Sequence, residues 1–133
     1  TPIHELIGEP MKSLITTLLL AITLSSTAFG DDFSDGLAAF NKVDYKTAMR
    51  LWKPLAEQGY ASAQYNLGIM YHNGEGVPED KVLTYMWWNL AAANGEDSAP
   101  KNKGIIAKRM TSSQIEKAQE LSRDCLKNNY KNC

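Results

Sequence analysis

The chain has 133 residues, of which 44% are hydrophobic, and its formal net charge at neutral pH is −1. This length and composition fit one soluble globular domain. The near-neutral charge argues against the basic surface that nucleic-acid binding requires, so we predict no nucleic-acid partner.

The first thirty residues are predicted to form a leader instead of a part of the domain. Residues 1–10 contain no methionine and precede Met11, so we interpret them as an upstream translated segment or an expression remnant. A basic start at Met11, an apolar run over residues 13–24 and small residues before Gly30 are typical of a secretory signal peptide. The run is shorter than the roughly 20 apolar residues of a transmembrane helix. We therefore predict cleavage after Gly30, a periplasmic or secreted location, and no membrane partner after cleavage.

A repeat follows the predicted leader, because the segment that begins at Asp44 matches the segment that begins at Asp80. The identical pairs under this shift are Asp44 and Asp80, Trp52 and Trp88, Ala56 and Ala92, Gly59 and Gly95, Ser62 and Ser98, and Ala63 and Ala99. Repeats of about 30–40 residues are the signature of stacked helical hairpins. Within each copy, apolar residues recur every three or four positions, which predicts amphipathic helices with Gly59 and Gly95 as their C-caps.

The stretch AEQGYASAQYNLGIMYHNGEGVPED, residues 56–80, predicts a helix that ends in a structural loop. Its small side chains would let a neighbouring helix come close, and Gly68 is tolerable where backbone must approach backbone. Gly74 and Gly76 permit positive φ in the loop, and Pro78 ends the first helix. Phosphate binding by this loop is disfavoured, because the acidic residues beside it would repel an anion.

Residues 56–95, which contain this stretch and then WWNLAAANG, resemble the Sel1-like repeat family, a relative of the tetratricopeptide repeats. The resemblance implies an all-α fold without a sheet: a short right-handed α-solenoid of three helical hairpins over residues 31–133. The hairpins are expected at 32–41 with 44–58, at 61–73 with 80–94, and at 97–109 with 112–127. The third has no tryptophan and begins its last helix with a capping box at Thr111, so we interpret it as a terminal cap.

Two groups of residues are assigned structural roles. Trp52, Trp87 and Trp88 are predicted to be core instead of a ligand-stacking box, since two of them occupy equivalent repeat positions. Cys125 and Cys133 are predicted to form a disulfide, which export would favour; free thiols are the alternative. Eight helical residues would rise about 12 Å, and a bridge needs Cα atoms within about 7 Å. The helix must therefore end between the cysteines, and Asn128-Asn129 offers a left-handed turn.

The residues do not support an enzyme, and we predict no catalytic residue, no cofactor and no metal site. His72 is the only histidine after the predicted cleavage, so any catalytic triad or dyad would have to be built around it. Cys125 is assigned to the disulfide. Glu79 and Asp80 are expected at a helix start, where acidic side chains favour the helix dipole.

A partner-binding groove is predicted from the resemblance, because the first helix of each hairpin lines the concave face in tetratricopeptide-like stacks. The positions carried over are Phe33, Leu37, Phe40 and Asn41 in the first hairpin, Tyr65, Ile69, His72 and Asn73 in the second, and Lys101, Ile105, Lys108 and Arg109 in the third. Apolar side chains at one end and cations at the other suit a peptide with an acidic or carboxylate end. An ordinary half-exposed surface is the alternative.

The function predicted from these patterns is that of an exported protein-protein interaction module, an adaptor or regulator of an envelope process. A cell-wall-directed enzyme or small-molecule binder, such as a β-lactam binder, and a self-associating structural domain stay open as alternatives. Residues 31–100 carry five Lys/Arg and ten Asp/Glu, whereas residues 101–133 carry eight and three. Such asymmetry can orient a partner or favour weak self-association.

Overall fold

The computed structural model describes residues 30–133, which form six α-helices and no strand. The described part of helix α1 covers residues 30–41. The helices that follow are α2 (Tyr45–Ala56), α3 (Ala61–Asn73), α4 (Lys81–Ala93), α5 (Ala99–Ala107) and α6 (Ser112–Lys127). The predicted all-α solenoid of three helical hairpins is confirmed. Residues 1–29, which comprise the segment before the predicted signal peptide and all of that peptide except Gly30, lie outside the described residues.

Helices α2 and α4 begin at repeat-equivalent aspartates. A carboxylate oxygen of Asp44 accepts a hydrogen bond from the Thr47 N–H at 3.2 Å, and Asp80 accepts one from the Leu83 N–H at 2.9 Å. Each aspartate thereby satisfies a backbone donor that the first turn of a helix leaves unpaired. Hydrogen bonds from the side chain and the backbone of Thr47 lower the pKa of the exposed Asp44 carboxyl below its ordinary value.

The capping box predicted at the start of α6 is present. The Thr111 hydroxyl accepts a hydrogen bond from the Gln114 N–H at 3.1 Å, and the Gln114 side chain accepts one from the Thr111 N–H at 2.9 Å. Both bonds join residues three positions apart, so the sequence pattern was sufficient to locate this helix start.

The helix ends differ slightly from the prediction. Gly59 was expected to be the C-cap of α2, but the C-cap is Glu57, and Gly59 lies two residues later with φ of 84°. The Gly59 N–H donates to the Ala56 carbonyl and the Tyr60 N–H donates to the Leu55 carbonyl. The chain therefore makes one further turn beyond α2, and the glycine supplies the left-handed residue that this turn needs.

Helix α4 lies at the centre of the packing, with core on both of its sides. Trp87 is 2% exposed and belongs to a hydrophobic cluster with Trp52 and Leu67, whereas Trp88 is 4% exposed and packs with Ile106 on α5. Trp52 is 1% exposed, so the assignment of all three tryptophans to the core is confirmed. Adjacent residues of a helix point about 100° apart, which lets neighbouring tryptophans serve different clusters.

The C-terminal tail turns back as predicted. Helix α6 ends at Lys127, and Cys125 and Cys133 form the predicted disulfide with their Cα atoms 5.3 Å apart. Asn129 has φ of 52°, so the reversal begins within the predicted asparagine pair. Among residues 30–133, no helix has the length and apolar character needed to cross a membrane.

Candidate functional site

Trp88 forms part of the floor of the candidate site, and a glycine makes room for it. A Cβ atom on Gly68 would overlap the Trp88 indole, so a larger residue on α3 would push α4 away. The indole Nε1–H donates at 3.1 Å to the carbonyl of Tyr65, which lies one turn before Gly68 on α3. The glycine and this hydrogen bond hold the indole against the backbone of α3.

The first hairpin has the same pair of a glycine and a tryptophan, whereas the third has only the glycine. A Cβ on Gly36 would overlap the Trp52 indole, whose Nε1–H donates to the Phe33 carbonyl at 3.2 Å. Gly104 is the corresponding glycine of α5 under the repeat shift, but a Cβ there would meet no atom within 4 Å. The third hairpin has no tryptophan to fill that space, as expected for a divergent terminal hairpin.

Two adjacent pockets form a groove over these tryptophans. The Leu37 pocket has a volume of about 190 Å³ and is lined by Leu37, Phe40, Asn41, Trp52, Asn66 and Ile69. The Arg109 pocket has a volume of about 220 Å³ and is lined by Ile69, His72, Asn73, Trp88, Asn102, Ile105, Ile106 and Arg109. Ile69 lines both, so the two pockets share a wall. Apart from the tryptophans, every lining residue comes from the first helix of a hairpin or the turn that ends it.

The structure brings eight of the twelve predicted groove residues into this lining. They are Leu37, Phe40, Asn41, Ile69, His72, Asn73, Ile105 and Arg109. The second and fourth positions of the predicted pattern line the groove in all three hairpins. The four remaining residues are Phe33, Tyr65, Lys101 and Lys108.

Phe33 and Tyr65 pack against the two tryptophans and are not among the residues that line the groove. The Phe33 ring lies 6.1 Å from the Trp52 ring, and the Tyr65 ring stacks on Trp88 with 6.0 Å between centroids. The Tyr65 hydroxyl accepts a hydrogen bond from the Asn102 amide at 2.6 Å, which ties α3 to α5. These aromatic side chains are therefore used for packing within and between the hairpins.

Lys101 and Lys108 are exposed and lie outside the pocket linings. Lys108 is the C-cap of α5, and Arg109 follows it in the turn, where its side chain reaches the Arg109 pocket. The groove thus contains one guanidinium where the sequence pattern suggested a cluster of cations.

The prediction missed five lining residues: Trp52, Trp88, Asn66, Asn102 and Ile106. The two tryptophans were assigned to the core alone, although each also lines a pocket. Asn66 and Asn102 are equivalent under the 36-residue shift, so the repeat itself carried a signal for them. Each of these amides can both donate and accept hydrogen bonds.

The chemistry of the lining favours binding. Within the described part of the chain, Arg109 is the only lining residue with a fixed charge, and neither pocket contains a carboxylate. Nδ1 of His72 is buried without a hydrogen-bond partner, and its ring lies 5.6 Å from that of Trp88. No group of His, Cys, Asp and Glu among residues 30–133 could hold a metal ion. The groove offers apolar surface, amide groups and one cation.

Three helical hairpins, with a groove along their first helices, define the class of this protein as an α-solenoid of the tetratricopeptide-like kind. Residues 35–60 and 61–96 each match the family described as Sel1 repeat. Residues 35–96 therefore match two Sel1 repeats, which confirms the predicted resemblance of this stretch to the Sel1-like repeat family.

A solved structure has a similar fold. It is described as the crystal structure of a protective antigen present in uropathogenic Escherichia coli strains displaying an SLR fold. The TM-score is 0.69 at 28% sequence identity, and the match covers 74% of this chain and 23% of that chain. This chain thus spans about a quarter of that protein. No curated protein sequence matches the chain. Sel1 repeats are generally protein-protein interaction modules and are typically non-enzymatic scaffolds.

Proposed function

We propose that this chain binds an extended segment of another protein in the groove formed by the Leu37 and Arg109 pockets. One observation carries the proposal: Leu37 and Ile105 are 40% and 48% exposed, although both are large apolar residues inside a concave site. Apolar side chains left exposed in a concavity that polar groups surround are characteristic of binding sites. The general role of Sel1 repeats supports the same assignment.

The segment we propose carries an apolar side chain and, beyond it, a carboxylate. The Leu37 pocket, between Phe40 and Ile69, would take the apolar side chain. The carboxylate would pair with the Arg109 guanidinium, which can donate two parallel hydrogen bonds to it. The amides of Asn73 and Asn102 lie in the same pocket lining and can complete its hydrogen bonding.

We further propose that the protein works after export, as an adaptor or regulator of an envelope process. The leader-like residues 13–30 support export. The Cys125–Cys133 disulfide supports an oxidising compartment, because disulfides persist there and are rare in the cytosol.

Two peptide libraries test the groove proposal, one with free C-terminal carboxylates and one that is identical but amidated. The purified protein should select peptides from the first library that have an apolar residue upstream of the carboxylate. Amidation of a selected peptide should weaken binding about tenfold or more, because it removes the charge that faces Arg109. Isothermal titration calorimetry gives the Kd.

Arg109→Glu and Lys108→Glu form a matched pair, since they change charge equally at adjacent positions. Arg109→Glu should abolish the preference for a free carboxylate, whereas Lys108→Glu should keep most of it. Equal loss from both variants would mean that a diffuse basic surface binds the peptides and that the groove assignment is wrong. Size-exclusion mass measured alongside separates peptide binding from self-association.

A further inference from the structure

The C-terminal tail, residues 128–133, is held in an unusual backbone conformation. Asn129, Tyr130 and Asn132 have φ values of 52°, 63° and 60°. Residues other than glycine rarely adopt positive φ, and asparagine tolerates it better than tyrosine does. Three such residues within four positions need contacts elsewhere to keep them in place.

Two restraints hold the tail against the end of α6. The disulfide fixes Cys133 to Cys125, whose side chain is buried in the hydrophobic cluster of the first two hairpins. The Tyr130 N–H donates to the Cys125 carbonyl at 2.8 Å. The Tyr130 ring lies over Gly59, with its Cε2 atom 3.1 Å from the position that a Cβ would occupy there. The tail of the third hairpin thus covers the turn between α2 and α3.

The Tyr130 hydroxyl is the first donor in a chain of hydrogen bonds that continues through side chains near the ends of α4 and α3 to the last residue of α2. It donates to the Asn94 side-chain oxygen at 3.1 Å. The Asn94 amide donates to the Gln64 side-chain oxygen at 2.9 Å, and the Gln64 amide donates to the Ala56 carbonyl at 3.0 Å. Gln64 is fully buried, so its polar atoms depend on these partners. We call these four residues the corner chain.

We propose that the tail is a redox-dependent clasp: its disulfide keeps Tyr130 hydrogen-bonded to Asn94, and so to the rest of the corner chain. When the disulfide is present, the tail keeps its left-handed turn and Tyr130 stays on Gly59 and Asn94. When the disulfide is reduced, the C-terminal end of the tail is released. The residues with positive φ then return to more favourable backbone angles, and Tyr130 loses its contacts with Gly59 and Asn94. The two repeats therefore have the Tyr130 contacts only in an oxidising compartment, where the disulfide persists. The clasp uses no residue of the groove lining and requires no ligand.

The reduction balances with a dithiol as the reductant. One thiolate of the dithiol attacks Sγ of Cys133, which is more exposed than Cys125, and Cys125 leaves as a thiolate that takes up a proton. The second thiol of the dithiol then releases Cys133 as a thiol and forms a disulfide within the reductant. Two electrons and two protons pass to the protein, which ends with two free thiols.

A double-mutant cycle of Tyr130→Ala and Cys133→Ser tests the clasp by thermal unfolding of the full chain without reductant. In the parent, Tyr130→Ala should lower the Tm by about 4–8 °C, the shift expected in a domain of this size when a half-buried ring and its hydrogen bond are lost. In the Cys133→Ser background the same change should have little effect on the Tm, because Tyr130 has already lost its contacts with Gly59 and Asn94. Equal Tm shifts in both backgrounds would overturn the proposal, since Tyr130 would then be held without the disulfide.

Hydrogen exchange gives a second readout that does not require any variant. Reduction of the parent with dithiothreitol should raise the exchange rate of the Tyr130 amide about tenfold or more. The amide of Ile115, which donates to the Thr111 carbonyl at the other end of α6, is the internal control and should change little. An unchanged Tyr130 amide in the reduced protein would also overturn the clasp.

Discussion

The missing side chain at Gly68 sets the distance between α3 and α4. Glycine inside a helix costs about 1 kcal/mol relative to alanine, so its presence there needs a compensating contact. That contact is the Trp88 indole, which occupies the volume of the absent Cβ and donates a hydrogen bond to the Tyr65 carbonyl. The same arrangement at Gly36 indicates that the spacing belongs to the repeat unit.

Gly68→Ala is therefore expected to destabilise the protein, although alanine is the better helix former. The added Cβ must displace a buried indole, and such overpacking typically costs about 1–3 kcal/mol. Urea unfolding followed by circular dichroism measures the change in the free energy of unfolding.

Gly104→Ala is the matched control for this substitution. It makes the same chemical change at the equivalent position of α5, where a Cβ has open space around it. We expect stabilisation of up to about 1 kcal/mol from helix propensity alone. If both variants changed stability in the same direction, the contact with the indole would not be the reason for the glycine.

Among the elements, α2 depends on a titratable residue at its start. Asp44 caps the helix with its carboxylate, and the hydrogen bonds from Thr47 lower its pKa below the ordinary value of 3.8. A lowered pKa in the folded state means that the carboxylate stabilises the fold above the ordinary pKa. This contribution is lost as the pH falls through the lower pKa of the folded state.

Asp44→Asn should remove that pH dependence while it keeps a capping oxygen, because asparagine is also a favourable N-cap and does not titrate. We expect the Tm of the parent to fall more steeply with acidification than the Tm of the variant, with the difference confined to pH below about 5. Thermal melts of both proteins between about pH 2 and pH 7 measure it. If the Tm of both proteins changed with pH in the same way, the charge of the Asp44 carboxylate would not contribute to stability.

For the molecule as a whole, export is predicted to remove the segment that ends at Gly30. Ala28 and Gly30 place small residues at the two positions that a signal peptidase reads. Intact-mass analysis of protein recovered from the cell envelope should therefore give Asp31 as the first residue. Ala28→Lys should block this cleavage, whereas Phe29→Ala should leave it unchanged. A mature mass that still includes residues 13–24 would contradict the prediction and favour a membrane anchor.

The sequence alone was sufficient for the helices and the order of the hairpins. Helix starts at Asp80 and Thr111 depend on side chains within three residues of the cap, so a local pattern identifies them. The repeat spacing identified the hairpins, because each hairpin is the same supersecondary unit and packs on its neighbour in the same way. The disulfide was predicted because export favours a bridge between Cys125 and Cys133, and the asparagines between them offered the turn that a bridge requires.

The tertiary structure alone decided which side chains line the groove and which residue covers the turn between α2 and α3. Tyr65 and Ile69 are four residues apart on α3, yet Tyr65 stacks on Trp88 and Ile69 lines the groove. Arg109 reaches a pocket and Lys108 beside it does not. Tyr130 contacts Gly59, which is 71 residues earlier in the chain. These outcomes depend on the distances between helices that are far apart in sequence, and helical periodicity gives a residue's angle around its own helix but not what lies opposite it.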